Sequence, residues 1–205
     1  MMGLNVTETI QLPTPRFESL HSLESTIRLR RSIRDYTHKP LSLVEVSQLL
    51  WAAQGITTRE GYRTVPSAGA LYPLEVSVVA GNVQNLPAGI YRYLPSQHEL
   101  AITLKGDKRS PLSAAALRQD FIRNSAAVLV ISAVSTRTSW KYGHRSDRYI
   151  HMEVGHAAQN ISLQAEALNL GTVVVGAFDD DRVKQVMNMP DEEEPLTILP
   201  VGRKK

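Results

Sequence analysis

"AAVLVISAV", residues 126–134, is the stretch on which the fold turns. Valine, isoleucine, leucine and alanine fill both parities of a period-two pattern. The segment therefore reads as a β-strand buried on both faces, interior to its sheet. It is also the longest apolar run, and it is about half as long as a bilayer-spanning helix must be.

Working outward, "LEVSVVAG" (74–81) reads as a strand and "GIYRYLPSQHELAITL" (89–104) as a hairpin about the turn residues Pro95 to His98. "GTVVVGAF" (171–178) reads as a strand or extended turn, and "PLTILPVG" (195–202) as a final strand. Helices are expected from Ser22 through "LESTIRLRR", in "PLSLVEVSQLLWAAQG" (40–55), in "SPLSAAALRQDFI" (110–122) and in "DDDRVKQVMN" (179–188). In the second of these, Ser42 and Glu45 have capping-box spacing and Gly55 is a stop. Residues 147–170 predict a long helix that is apolar nearly all round, buried centrally or in a dimer. "STRTSWKYGHRSD" (135–147) reads as a polar, basic loop, and residues 1–20, with Pro13 and Pro15, as an irregular lead-in. Interleaved helices and strands around a hairpin give an α+β class, with residues 1–205 as one domain.

Composition narrows the function classes. The chain has 205 residues and no cysteine, which excludes disulfides, thiolate nucleophiles, iron–sulfur clusters and zinc fingers. The N-terminus lacks a basic flank followed by an apolar run, so a cytoplasmic protein without a membrane partner is expected. The net charge is +3, mixed in sign, and the acidic runs "DDD" and "DEEE" count against a nucleic-acid partner.

Three stretches have the composition of a ligand site. In "RLRRSIRDY" (28–36), Arg30, Arg31 and Arg34 supply fork-shaped permanent cations and Ser32 a short hydroxyl donor, a set suited to phosphate; the alternative is a solvated helix end. In "TVPSAGALYP" (64–73), small residues let backbone N–H groups approach a planar ligand, and the alternative is a plain turn before a strand. In "VVVGAFDDD", Gly176 precedes a helix start with free N–H groups, where a ligand acceptor atom would sit; the alternative is a simple connection.

Together with "LLWAAQG", "GIYRY", "KYGHRSDRY", "EVGHAAQN" and "PLTILPVG", these stretches resemble, in order, the FMN-dependent nitroreductase superfamily. Within it they resemble the streptolysin-associated thiazoline/oxazoline (azoline) dehydrogenase branch. The resemblance implies a central, mainly antiparallel sheet flanked by helices, in an intertwined homodimer with FMN at the interface. It assigns Arg30, Arg31 and Ser32 to the flavin phosphate and ribityl chain, and Arg34 to the pyrimidine edge. Pro66, Ser67, Ala68 and Gly69 would line the flavin from the second subunit. Val175, Gly176 and Ala177 would lie over the ring, and Arg203 and Lys205 would be C-terminal phosphate contacts.

Lys141 and Tyr142 match a Lys–Tyr pair of the dehydrogenase branch. Aromatising an azoline removes a proton from one carbon and a hydride from its neighbour, so a base must stand across the substrate from the flavin. A free lysine titrates near about 10.4, and His144, Arg145 and Arg148 are near enough in sequence to disfavour its charged form. The substrate class implied is a small-molecule or peptide azoline. The rivals are a broad NAD(P)H-dependent nitro, quinone or flavin reductase and a non-catalytic flavin redox sensor. No GxGxxG or Walker A loop is present, so NAD(P)H would visit as a diffusing co-substrate. His151, Glu153 and His156 cluster, but the two histidines are five apart and no HExxH occurs. Hydrogen bonding in the core or an interface, and no metal, is expected there.

Overall fold

The computed structural model describes residues 8–205. Seven strands form one sheet: β1 (Thr9–Gln11), β2 (Leu74–Ala80), β3 (Gly89–Leu94), β4 (Glu99–Lys105), β5 (Ala127–Val134), β6 (Leu170–Thr172) and β7 (Glu193–Arg203). Their order is β1-β4-β3-β2-β5-β7-β6, and every neighbouring pair is antiparallel. β5 lies inside, between β2 and β7, as its two-sided apolar pattern requires. Leu129, Ile131 and Ala133 join the core on one face, and Val128 and Val130 join that on the other.

The first face is covered by α2 (Leu43–Gln54) and α6 (Ser146–Ala167), with α1 (Leu23–Leu29) against α6. The second carries α3 (Arg109–Ala115), α4 (Asp120–Asn124) and α7 (Asp180–Met187). The capping box at α2 is present: the Ser42 hydroxyl accepts from Glu45 N–H, and Ser42 N–H donates to Glu45 Oε2 at 2.8 Å. α6 buries Ile150, Val154, Ala157, Ile161 and Ala165, while Met152, Gly155, His156 and Gln159 on its other side are exposed.

Three expectations are corrected. Residues 9–11 of the supposed irregular lead-in pair with β4 as an edge strand; residues 1–7 lie outside the described residues. The single helix expected over 110–122 is two, broken where Leu117 and Arg118 both take positive φ (55° and 58°). The basic loop at 135–147 is largely helical: α5 (Thr136–Tyr142), then a 3₁₀ turn at Gly143–Arg145.

Candidate active site

The chemistry-bearing stretches gather into two clusters. The first lies along β6 and the end of β7. α1 stops at Arg30, whose φ/ψ of −50°/127° sends the chain extended, and Ser32 then bridges Thr172 in parallel. Ile33 N–H donates to Thr172 O and Thr37 N–H to Arg203 O, both at 2.9 Å. Two glycines make this possible. A Cβ on Gly171 would sit 2.7 Å from Ile33, and one on Gly202 would sit 2.8 Å from Tyr36. These glycines face each other across β6 and β7, and Tyr36 is buried flat on them, its phenol pushed well above its usual range by that burial.

The arginines of this strip differ in their engagements. Arg31 Nη1 donates to Arg28 O and Arg30 O, closing off the C-terminus of α1. Among the described residues, Arg30 and Ser32 make no side-chain hydrogen bond or ion pair, and Arg34 has only the Phe121 ring, 5.8 Å away. Arg203 is held by Glu45 at 2.8 Å and Lys205 by Asp35 at 2.7 Å. Val175 is buried, exchanging both backbone hydrogen bonds with Ile198. Gly176 and Ala177 are exposed beyond it, and a Cβ on Gly176 would meet nothing within 4 Å.

The second cluster is the loop from Pro66 to Tyr72 and what holds it. Gly69, Ala70 and Tyr72 have φ of 64°, 54° and 47°, so three residues within four are left-handed. Two of them are not glycine, a concentration of strain that needs external restraint. Three residues outside the loop supply it, with one bond inside the loop. Ala68 N–H donates to Glu153 Oε1 and Tyr72 N–H to Ser67 Oγ, each at 2.9 Å. Arg137 Nη1 donates to Tyr72 O at 3.2 Å, and the Arg63 guanidinium lies 4.5 Å from the centroid of the Tyr72 ring. Arg137 is itself fixed by Glu75, which pairs with the buried Arg92, which pairs with the buried Glu193 at 2.7 Å.

Lys141 and Tyr142, both at the end of α5, reach this loop. A Cβ on Gly69 would lie 2.9 Å from both Lys141 Nζ and Tyr142 Oη. Lys141 Nζ is 5.5 Å from the Tyr142 ring centroid, and Tyr142 packs edge-on against Tyr149 at 5.0 Å. Pro66 and Gly69 are exposed and Ser67 and Ala68 half-buried, so the loop is presented to solvent rather than into this chain's own core.

The clusters sit toward opposite ends of α6. Glu153 holds the loop, whereas Glu166 pairs with Lys204 beside the arginine strip at 2.7 Å. The thirteen-residue step from Glu153 to Glu166 rises about 20 Å along the helix. The structure thus joins Lys141 and Tyr142 to Pro66–Gly69 and lays the Arg30–Tyr36 strip beside Arg203 and Lys205, with Val175 bridging Ile198 farther along β7. It does not join the two sets within a chain.

Sequence reasoning weighed Glu153 only as a metal ligand or a hydrogen-bonding residue and missed what it holds. The signal was there: a carboxylate between Ile150 and Val154 on the buried face of α6. Burial pushes this carboxyl above its usual range, opposed by the Ala68 N–H, the Ser67 hydroxyl, His156 and Arg63. Among the described residues no group of three or more His, Asp or Glu side chains is arranged to hold a metal, and no helix is long and apolar enough to cross a membrane.

Residues 27–203 match the nitroreductase family model. The chain belongs to the nitroreductase family. It is 44% identical over 197 residues to a Methanocaldococcus jannaschii protein provisionally named a nitroreductase, covering 96% of this chain and 98% of that one. It is 30% identical over 144 residues to the microcin B17-processing protein McbC of Escherichia coli (68% of this chain, 52% of McbC). To an NADPH-dependent FMN reductase of Bacillus subtilis it is 26% identical over 191 residues (86% of this chain, 64% of the reductase). The chain thus spans only half to two thirds of these last two relatives. A crystal structure of a provisionally named nitroreductase from Ralstonia eutropha superposes with a TM-score of 0.86 at 30% identity, covering 98% of this chain and 91% of that one. This nitroreductase-family chain is therefore of an oxidoreductase family, with the α+β, antiparallel-sheet architecture expected of it.

Proposed function

We propose that this protein is an FMN-dependent oxidoreductase of the azoline-dehydrogenase type, a single cytoplasmic domain working as a homodimer with FMN shared between subunits. The observation that carries this reading is the meeting of Lys141 and Tyr142 with Gly69. A potential base is thereby placed against the very loop that the family resemblance assigns to the flavin. The separation of the two clusters along α6 supports the dimer, since a two-fold axis brings the loop cluster of one copy to the arginine strip of the other.

The residues fit FMN. Arg30, Ser32 and Arg34 are a phosphate- and carbonyl-binding set free of acidic partners among the described residues. Gly176 and Ala177 offer backbone N–H groups at an open surface, and the bare Cα of Gly69 leaves the room that Lys141 and Tyr142 use to close on the loop. Arg31, Arg203 and Lys205 stand beside this set, their side chains already engaged within the chain. When bound, the flavin supplies a two-electron acceptor for hydride. Lys141 would take the proton from the neighbouring ring carbon, and Tyr142 would orient the substrate through its hydroxyl. Arg34, which the resemblance assigns to the pyrimidine edge, would stabilise negative charge gathering there.

A second reading, an NAD(P)H-dependent reductase of broad specificity, is favoured by similarity to the FMN reductase. One preparation separates the two. The purified protein is expected to be yellow and to release FMN on heating, and an azoline peptide is expected to bleach the flavin without NAD(P)H. Bleaching by NADPH with turnover of a nitroaromatic, and none by azolines, selects the reductase. A colourless protein that takes up no added FMN overturns both.

A further inference from the structure

Glu153 is 3% exposed, yet its carboxylate is directed at no cation in salt-bridge contact among the described residues. It accepts from the backbone of a loop 85 residues away in sequence, Ala68 N–H, at 2.9 Å, with the Ser67 hydroxyl of the same loop beside it. That N–H opens the run in which Gly69, Ala70 and Tyr72 are left-handed. Such a run relaxes toward ordinary φ values unless its first peptide is fixed. Ser67 Oγ and Arg137 fix its far end at Tyr72, so Glu153 is the partner that fixes the start. We propose that Glu153 is a positioning residue for the active site: by accepting the Ala68 N–H it holds the strained Ser67–Tyr72 loop in the shape that presents Gly69 to the flavin and to Lys141 and Tyr142. The proposal rests on the flavin-site reading above for what the loop serves, but not for what holds the loop.

The chemistry of the acceptor makes the idea specific. A carboxylate oxygen and an amide oxygen both accept one N–H bond in this geometry, so Glu153→Gln retains the anchor while removing a buried ionisable group. Glu153→Ala leaves the half-buried Ala68 N–H without its acceptor and lets the loop leave its strained shape. A role in packing alone would also be preserved by the isosteric glutamine, but its loss in Glu153→Ala would lower protection throughout the molecule rather than in residues 67–72 selectively.

The test is hydrogen exchange by mass spectrometry on the protein as purified, together with FMN titration. In Glu153→Ala, amides of residues 67–72 are expected to exchange at least about tenfold faster while β5 and the rest of α6 keep their protection; in Glu153→Gln they stay within about twofold of the parent. The FMN dissociation constant is expected to rise at least about tenfold in Glu153→Ala and to be restored by glutamine. Should Glu153→Ala not fold, Glu153→Asp, a carboxylate one methylene short of Ala68, is read in the same way. Loop exchange unchanged in the alanine or aspartate variant overturns the proposal. So does a freed loop that leaves FMN affinity and the flavin spectrum of a flavin-loaded protein unaltered. A parent protein that holds no flavin sinks the flavin reading alone, and loop exchange still decides whether Glu153 is the anchor.

Discussion

Gly69 stands at φ 64° with Lys141 Nζ and Tyr142 Oη both 2.9 Å from where its Cβ would be. Both contacting atoms are the far ends of side chains that swing aside, so a methyl group here displaces the pair rather than breaking the fold. The left-handed φ adds about 1 kcal/mol against any residue with a Cβ. Gly69→Ala is therefore expected to lower the melting temperature by only a few degrees while reducing turnover about tenfold or more, equivalent to about 1.4 kcal/mol in the barrier. Calorimetry and steady-state kinetics on the same preparation check this. A fall in stability with unchanged turnover would separate Gly69 from Lys141 and Tyr142 functionally. The neighbouring arginines make the same point about unequal roles: Arg31 closes a helix end, whereas Arg30 and Arg34 face outward without acidic partners among the described residues.

At the scale of elements, the N-terminal segment is fastened by a small buried relay. Tyr93 of β3 bonds His98 Nδ1 at 2.9 Å, His98 Nε2 meets Ser47 of α2 at 2.7 Å, and Ser47 Oγ donates to Pro13 O at 2.5 Å. Burial holds His98 below the usual histidine value near 6.5, so its neutral form is the folded one. A depressed folded pKa gives stability that is complete above the ordinary value and lost as pH falls through the folded one. Thermal stability is expected to drop below about pH 6.5, and His98→Gln to flatten that slope. Ser47→Ala, which removes two bonds of the relay, is expected to cost about 1–2 kcal/mol. Denaturant melts of the three proteins between pH 5 and 8 measure this. None of this relay was legible in the sequence, where His98 was only a turn residue. Periodicity did reveal β5, the β3–β4 hairpin, α2 with its cap, and α6, because each owes its form to a local pattern. α5 was read as a loop because "TRTSWKY" carries no apolar stripe, and Ser135 makes no side-chain cap bond. Arg137's tertiary bonds to Tyr72 O and Glu75 tie that helix to the rest of the fold, and no local pattern announces such bonds. The same holds for the site: residue types marked which stretches bind, but not that Glu153 and Arg137 hold them.

For the whole molecule, the decisive quantity is the separation of about 20 Å along α6 between the loop cluster and the arginine strip. If each site takes its arginines from one subunit and its Lys–Tyr pair from the other, two different inactive chains complement each other. Arg30→Ala retains Lys141, and Lys141→Ala retains Arg30. In a mixed dimer the first chain's Lys141 faces the second chain's Arg30, which makes one intact site, while the other site carries both defects. Unfolding and refolding the two variants together in equal amounts gives half mixed dimers, each with one of two sites working. Activity is then expected to reach about a quarter of the parent's, from near zero in either variant alone. Were both clusters to serve one site within a chain, every site in the mixture would carry a defect and no activity would return. Measuring turnover before and after co-refolding therefore tests the arrangement without any structure of the dimer. The outcome depends on whether one subunit or two supply the arginines and the Lys–Tyr pair of a single site.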